Sequence, residues 1–431
     1  MPRLSKVSKS LLILLVLLAG SEFVVRGPVR FLRAADFNDF LSPYIQSRAL
    51  VKGMDPYSPQ VLVQLWPGGT AHQPSFVAHD LDEGSLVTTR GIPTAYPLSC
   101  LLLLAPVAVL PWPLAHVAWA IVNVGLALLL IWTFLASGFQ KTDWRAYAFV
   151  AFALALAPLQ TGLATGSIAI ATIALCGIAL TRDPQSTISA GVLFGLAICL
   201  KPQIGLPFLA YYLLRWHWRV CGIATAVVAT AFIVAMTRLA MSGTPWLQNY
   251  RTDNRILLST GILGDFTERN PIRFGLINLQ VLFYAIFPHA NAANVVAVAI
   301  SAALFGIWLW LVLRSDSHDA LLPLSTLLVL SLFPIYHRLY DAWILIFPLC
   351  WSLKEFAAVD RKYARAAFIL LLPFLVPGGS ALEQLQANRQ IPEAISQSWY
   401  WTAIMMPHQI WFLLLLSVLL LGRMAVRPQG S

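Results

Sequence analysis

The chain has 431 residues, 58% of them hydrophobic and only 11% charged, and a formal net charge of +10. A soluble domain carries roughly 25% charged residues, so composition excludes an ordinary soluble fold and leaves a polytopic membrane protein. The basic excess belongs to cytoplasmic ends of spans, and no RNP-like or finger-like motif accompanies it, so no nucleic-acid partner is expected.

At the N-terminus, Arg3, Lys6 and Lys9 precede LLILLVLLAG. That pattern suits a signal peptide, but no A-x-A site follows and further spans do. The segment is expected to stay as a first helix with its N-terminus in the cytoplasm. Apolar runs then cover residues 11–32, 98–111, 114–135, 146–161, 166–181, 188–200, 203–214, 219–239, 276–288, 293–313, 319–333, 340–353, 364–378 and 408–422. Spans need about 20 apolar residues and must satisfy their own backbone, so they are helices. The runs do not alternate, which excludes a barrel.

Short basic connectors mark the cytoplasmic side: Lys141 with Arg145, Arg182, Arg215 with Arg219, Arg314, the group from Lys354 to Arg365, and Arg423 with Arg427. Runs 98–111 and 276–288 are too short to cross and are expected as helices at the outer interface. The fold class predicted is therefore an all-α polytopic membrane protein of about 12 transmembrane helices. Outer interfacial helices are added to these, in one integral domain over residues 1–431. Segments 33–97 and 240–292 are too long for connectors and are expected as functional loops on the outer face. Cys100, Cys176, Cys199, Cys221 and Cys350 all lie in apolar stretches without a CxxC and read as small buried residues.

Four places carry polar chemistry. Asp36 and Asp39 follow the first span three residues apart, so a helical turn would put them on one face. They suit a general base for a hydroxyl nucleophile, or else solvated loop acids or a helix cap. Lys201 in GLAICLKPQIG is either a cation set to meet an anion or a snorkelling side chain at a helix end, and Pro202 predicts a helix break beside it. The segment FPIYHRLYDAW brings His337, Arg338, Tyr340 and Asp341 together between two runs. There the Arg338 fork suits a phosphate, and an interfacial anchor belt is the plainer alternative. The stretch RTDNRILLSTGILGDFTERNPIR ends on Arg273 and reads either as a substrate-facing loop or as a mixed-charge surface. His72 and His79 with Asp80 and Asp82 are weak as a cation site. No Walker loop, HExxH or GxSxG occurs. Neither a metal nor a cofactor is expected.

The order of these motifs resembles glycosyltransferase family 87, a branch of the GT-C superfamily. Asp39-Phe40 stands for the family's Asp-Phe/Leu, followed by Arg48, Gly53, Pro56 and Tyr57 at matching offsets. Tyr96-Pro97-Leu98 resembles Tyr-Pro-Pro-Leu without its second proline. AGVLFGLAICLKPQIG resembles the Ala-Gly-x-Leu-x-Gly-Leu-Ala…Lys-Pro-Gln segment, ending on Lys201 and Gln203. His337 falls where the family has a histidine after a late proline. Two departures concern substrate identity: Gly166-Ser167 replaces Gly-Gln, and Asn270-Pro271-Ile272 replaces Asn-Gln-Ser.

The resemblance implies an inverting glycosyltransferase in the inner (plasma) membrane, with its active site on the periplasmic or extracellular side. The donor it implies is a polyprenyl-phosphate-linked sugar, mannose foremost, and the acceptor a lipid or glycan. Asp39 is implied as catalytic base, with Asp36 and His337 assisting. Lys201, Arg338, Gln203, Tyr96, Arg48, Tyr57 and Arg273 are implied in binding substrate. Membrane lipids are the other expected partner. A transporter would show inverted repeats and mid-span charges, whereas an O-antigen ligase or polymerase relies on Arg and His of a large late loop. Both remain competing readings from the residues alone.

Overall fold

The computed structural model describes residues 6–34, 38–67, 75–79, 86–90, 96–140, 143–182, 186–257, 261, 264–314, 320–357 and 361–426. In chain order the first half holds α1 (Lys6–Arg26), α2 (Pro28–Arg33), α3 (Leu41–Lys52), α4 (Pro59–Leu65), β1 (Ser75–His79), β2 (Leu86–Arg90), α5 (Leu98–Ala108), α6 (Trp112–Gly138), α7 (Trp144–Ala155), α8 (Ala157–Thr165), α9 (Ile168–Arg182), α10 (Thr187–Leu200) and α11 (Pro202–Leu214). The second half holds α12 (Trp218–Met241), α13 (Trp246–Leu257), α14 (Leu279–Ile286), α15 (Ala290–Leu313), α16 (Leu321–Ser331), α17 (Ile346–Lys354), α18 (Arg361–Leu371), α19 (Gly379–Ala387), α20 (Glu393–Ser396) and α21 (His408–Ala425).

The protein is a helical, multi-pass membrane protein. Among the described residues six helices are long and apolar enough to cross a membrane, or seven when the bent pair α7–α8 is counted as one span. The expectation of about twelve crossings rested on runs that fold as shorter helices. α5, α9, α10 and α16 are apolar but only 10–17 residues long. The breaks have a local cause: Pro202 opens α11 directly after α10, and Gly166 in a left-handed conformation (φ 68°) separates α8 from α9. The loop between α4 and α5 adds what a purely helical reading does not contain, an antiparallel ribbon pairing Ser75 with Arg90 through His79 with Leu86.

The chain forms two compact units, each assembled from segments far apart in sequence. One comprises residues 1–25, 131–161 and 272–431, the other residues 26–130 and 162–271. In the second unit α10 packs along α12 and α9, and α5 packs along α3, α10 and α12. Gly191 and Gly195 make the α10–α12 approach possible. A Cβ at Gly191 would sit 2.7 Å from Ile223, and one at Gly195 would sit 2.6 Å from Val227 and 2.9 Å from the Ala224 carbonyl. Small residues four apart let helices approach closely where apolar lipid gives no hydrophobic drive. α5 buries Leu98, Cys100, Leu101 and Leu104 within this unit. All five cysteines are free and buried, as expected.

Candidate functional site

Asp39 sits in the turn that opens α3, and this turn is built by its neighbours. The Asn38 side-chain oxygen accepts from the amides of Phe40 and Leu41, each at 3.1 Å, and its Nδ2 donates to the Ala34 carbonyl at 3.0 Å. This Asx-type bonding serves the first amides of the helix. The capping role open to Asp39 is thus filled by Asn38. The Asp39 amide donates to the Thr165 carbonyl at 2.9 Å. The next two carbonyls are held as well: Gly166 O accepts from Trp119 Nε1 at 2.8 Å, and Ser167 O accepts from Asn123 Nδ2 at 3.3 Å. Trp119 and Asn123 are one turn apart on α6, so one helix face supplies both donors. Carbonyls left over at the end of α8 therefore become the fixture for Asp39.

The same turn rests on aromatic packing. Phe40 is fully buried and stacks on Trp119 at 4.7 Å with an interplanar angle of 8°. Phe31 packs against Gly166 so closely that a Cβ there would stand 2.3 Å from its ring. Gly166 is thus required for its left-handed backbone and for the space above it. Against this rigid base, the Asp39 Oδ2 atom is buried and has no hydrogen-bond partner among the described residues, and neither has the Ser42 hydroxyl three residues on. A buried polar atom without a partner costs free energy, so such atoms mark a place where a ligand group would restore the bond. Asp36 lies outside the described residues, as do His72, Asp80 and Asp82.

Lys201 is buried at the junction of α10 and α11, with φ −149° and ψ 90°, breaking the helix beside Pro202 as expected. Its exposure is 6%, which does not fit a side chain snorkelling at a helix end. Ser99 Oγ donates to the Cys199 carbonyl at 3.3 Å, so the Tyr96-Pro97-Leu98 and Lys201-Pro202-Gln203 segments meet in this unit. Gln203 is half-buried in the first turn of α11.

Arg48 and Tyr57 have structural partners. Arg48 donates to the Tyr44 hydroxyl at 2.7 Å and to the Leu110 carbonyl at 3.3 Å. Tyr57 is fully buried, donates to the Tyr96 carbonyl at 2.7 Å, and packs on Tyr250 at 4.9 Å. Nearby, Asp55 accepts from the Tyr57 amide at 2.9 Å and from Asn249 Nδ2 at 2.6 Å. Burial, and then the charge of Asp55, pushes the Asp253 carboxyl up to about 7.

His337 and Arg338 belong to the other unit. His337 is 1% exposed, and its Nδ1 lies 3.0 Å from Asp341 Oδ2, while Nε2 is buried without a hydrogen-bond partner among the described residues. The same Asp341 oxygen accepts the Arg338 amide at 3.2 Å. Arg338 Nε donates to the Tyr336 hydroxyl at 2.8 Å. Arg273 lies over the rings of Phe274 and Tyr284 at 4.8 and 5.6 Å, and the Phe274 amide donates to Glu383 at 3.2 Å. Asp39, Arg48, Tyr57, Tyr96, Lys201 and Gln203 are therefore carried by one unit, and Arg273, His337 and Arg338 by the other.

Sequence reasoning gave no role to Asn38 or Ser42 and none to Asp341 alone. An Asn directly before Asp-Phe-Leu is a helix-start signal. An Asp four residues after a His is a possible partner only if the segment turns. No group of three or more metal-ligating side chains occurs among the described residues.

The model of glycosyltransferase family 87 matches residues 94–338, more than half of the chain, and the chain belongs to that family. The matched stretch includes Tyr96, Lys201, Gln203, Arg273, His337 and Arg338, while Asp39 precedes it. No curated protein matches the chain. Among solved structures it resembles the crystal structure of ArnT from Cupriavidus metallidurans in the apo state, at 13% identity over 97% of this chain and 78% of that one, with a TM-score of 0.31. That likeness is too distant to carry a conclusion.

Proposed function

We propose that this member of glycosyltransferase family 87 is an inverting, GT-C-type enzyme. It moves a hexose, mannose foremost, from a polyprenyl-phosphate donor to a lipid or glycan acceptor on the non-cytoplasmic face of the plasma membrane. One integral domain with both termini cytoplasmic carries the reaction. The observation that supports this reading most is the Asp39 carboxylate. Its backbone is fixed to the 165–167 turn, its capping duty is taken by Asn38, and one buried oxygen is left without a partner among the described residues. Such a group suits a general base that takes the proton of an acceptor hydroxyl as it attacks the anomeric carbon. Asp36 is assigned an assisting role.

Lys201, buried at a helix break, suits the phosphate of the donor. The leaving polyprenyl phosphate needs cations more than it needs acid help, because its oxygens are already anionic. Arg338 is the further cation assigned to it, Arg273 is assigned to substrate binding, and His337 positions substrate. A lipid donor is the form of activated sugar available outside the cytoplasm, which agrees with the outer placement of residues 33–97 and 240–292 expected from the basic connectors.

The test is direct. Full-length protein in detergent is incubated with labelled polyprenyl-phosphate mannose, glucose or arabinose and a membrane-lipid extract. Transfer from one of these, abolished in Asp39→Asn, is the expected result. Transfer from a nucleotide sugar, with none from the three lipid donors, would overturn the reading. Labelling of cysteines placed at positions 75 and 260 from the cytoplasm would overturn the topology.

A further inference from the structure

We propose that Asp341 is a positioning residue for His337, holding its imidazole as the Nδ1–H tautomer so that Nε2 is presented as a hydrogen-bond acceptor to a substrate hydroxyl. This rests on the glycosyltransferase reading above and narrows it: the group His337 meets is a hydroxyl of the sugar or of the acceptor, not the donor phosphate.

One Asp341 oxygen faces the ring and serves two partners. Oδ2 lies 3.0 Å from His337 Nδ1 and also accepts the Arg338 amide at 3.2 Å. A backbone amide can only donate, so it marks that atom as an acceptor, and a carboxylate oxygen accepts from both partners. The ring proton of a neutral imidazole then sits on Nδ1, and the lone pair sits on Nε2. The placement of Asp341 is fixed in turn, because its own amide donates to the Arg338 carbonyl at 2.9 Å. The histidine backbone is tied on its other side, where the Ile277 amide donates to the His337 carbonyl at 3.0 Å and Leu276 bridges to Arg338. Both side chains are 1% exposed.

What remains is Nε2, buried and without a hydrogen-bond partner among the described residues. A lone pair there repels a phosphate oxygen and accepts from a hydroxyl. Orientation of a histidine by a carboxylate on its far nitrogen is a general device for choosing the tautomer.

The experiment uses full-length protein with ¹⁵N-labelled histidine in lipid nanodiscs. The His337 signal is identified among the 8 histidines by its loss in His337→Gln. Ring proton–nitrogen correlations are expected to show Nδ1 protonated and Nε2 bare. Asp341→Ala should release this preference, and lower kcat by roughly threefold to tenfold while donor KM moves less than about twofold. Asp341→Asn should retain the tautomer, because the Arg338 amide still demands an oxygen at that place, and should retain more activity than the alanine variant.

A wild-type ring protonated at Nε2, alone or together with Nδ1, would overturn the proposal whatever the variants do. So would an unchanged tautomer in folded Asp341→Ala, or full activity alongside a released one. If wild-type protein transfers sugar from no donor, the functional reading fails separately, and the spectrum still decides the tautomer.

Discussion

The Asp39 turn and the His337 turn solve one problem in opposite ways. At Asp39 the acid is the group left over, because a neighbouring amide, Asn38, bonds the helix-start N–H groups. At His337 the acid is the group consumed, because Asp341 bonds both the ring and the Arg338 amide, leaving the histidine with a bare nitrogen. In both, a short polar neighbour takes the backbone's hydrogen bonds, and one side-chain polar atom stays buried without a partner among the described residues. Each turn also has a backbone anchor from far along the chain: Thr165 O for Asp39 and the Ile277 amide for His337.

The largest effect is expected at the left-over acid. Asp39→Asn keeps its shape and loses the proton acceptor, so kcat should fall by at least about 10²-fold with donor affinity nearly unchanged, measured by steady-state transfer at equal folded yield. Near-normal turnover would remove Asp39 from the mechanism. His337→Ala should lower kcat less, by roughly tenfold, and an equal or larger loss than Asp39→Asn would reverse the ranking of the two turns. Third, Asn38→Ala should cost about 1 kcal/mol of stability as a lost cap. If the sharing of labour is right, it also lowers turnover several-fold, because Asp39 is then drawn into the vacant capping role. Thermal unfolding and kinetics on one preparation separate the two effects.

Lys201→Met sharpens the contrast from the side of charge. Donor KM should rise several-fold or more as a cation facing an anion in a low-dielectric site is lost, and an unchanged KM would leave Lys201 a structural residue. The smallest effect is expected at Asp253, which neither turn uses. It lies on α13, which is not one of the apolar spans. Burial, then Asp55, raises its carboxyl from 3.8 to about 7. The folded state therefore holds a proton that the unfolded chain releases, so stability drains away as pH rises from about 4 to about 7 and stays low above that. Asp253→Asn removes this dependence and should raise Tm at pH 8 by roughly 2–4 °C, with the gain shrinking toward pH 4. A gain independent of pH would show that packing, not the proton, is responsible.

The membrane class, the helical fold, the break at Pro202 and the burial of the cysteines were legible in the sequence, whereas the break at Gly166 came only from the fold. Each rests on composition or on a residue acting on its own backbone. The family was legible because its motifs keep their order along the chain. The crossing count was less so. Run length alone does not distinguish a span from a shorter helix such as α10, whose length is set by where Lys201-Pro202 interrupts it.

Of the site, residue types and their order came from the sequence, but their duties did not. Arg48 and Tyr57 are implied as substrate contacts by the family resemblance, and the fold adds partners that no pattern states: Arg48 bonds the Tyr44 hydroxyl and the Leu110 carbonyl, and Tyr57 bonds the Tyr96 carbonyl. Asn38 had no role in the pattern, and in the fold its side chain accepts from the Phe40 and Leu41 amides at the start of α3. A one-dimensional pattern states which groups can bond. Which oxygen is already engaged, which is left buried and bare, and which backbone carbonyl from 126 residues away (Thr165, for Asp39) holds the turn are decided by chain packing. Only the tertiary structure brings residues that are distant in sequence within hydrogen-bond reach.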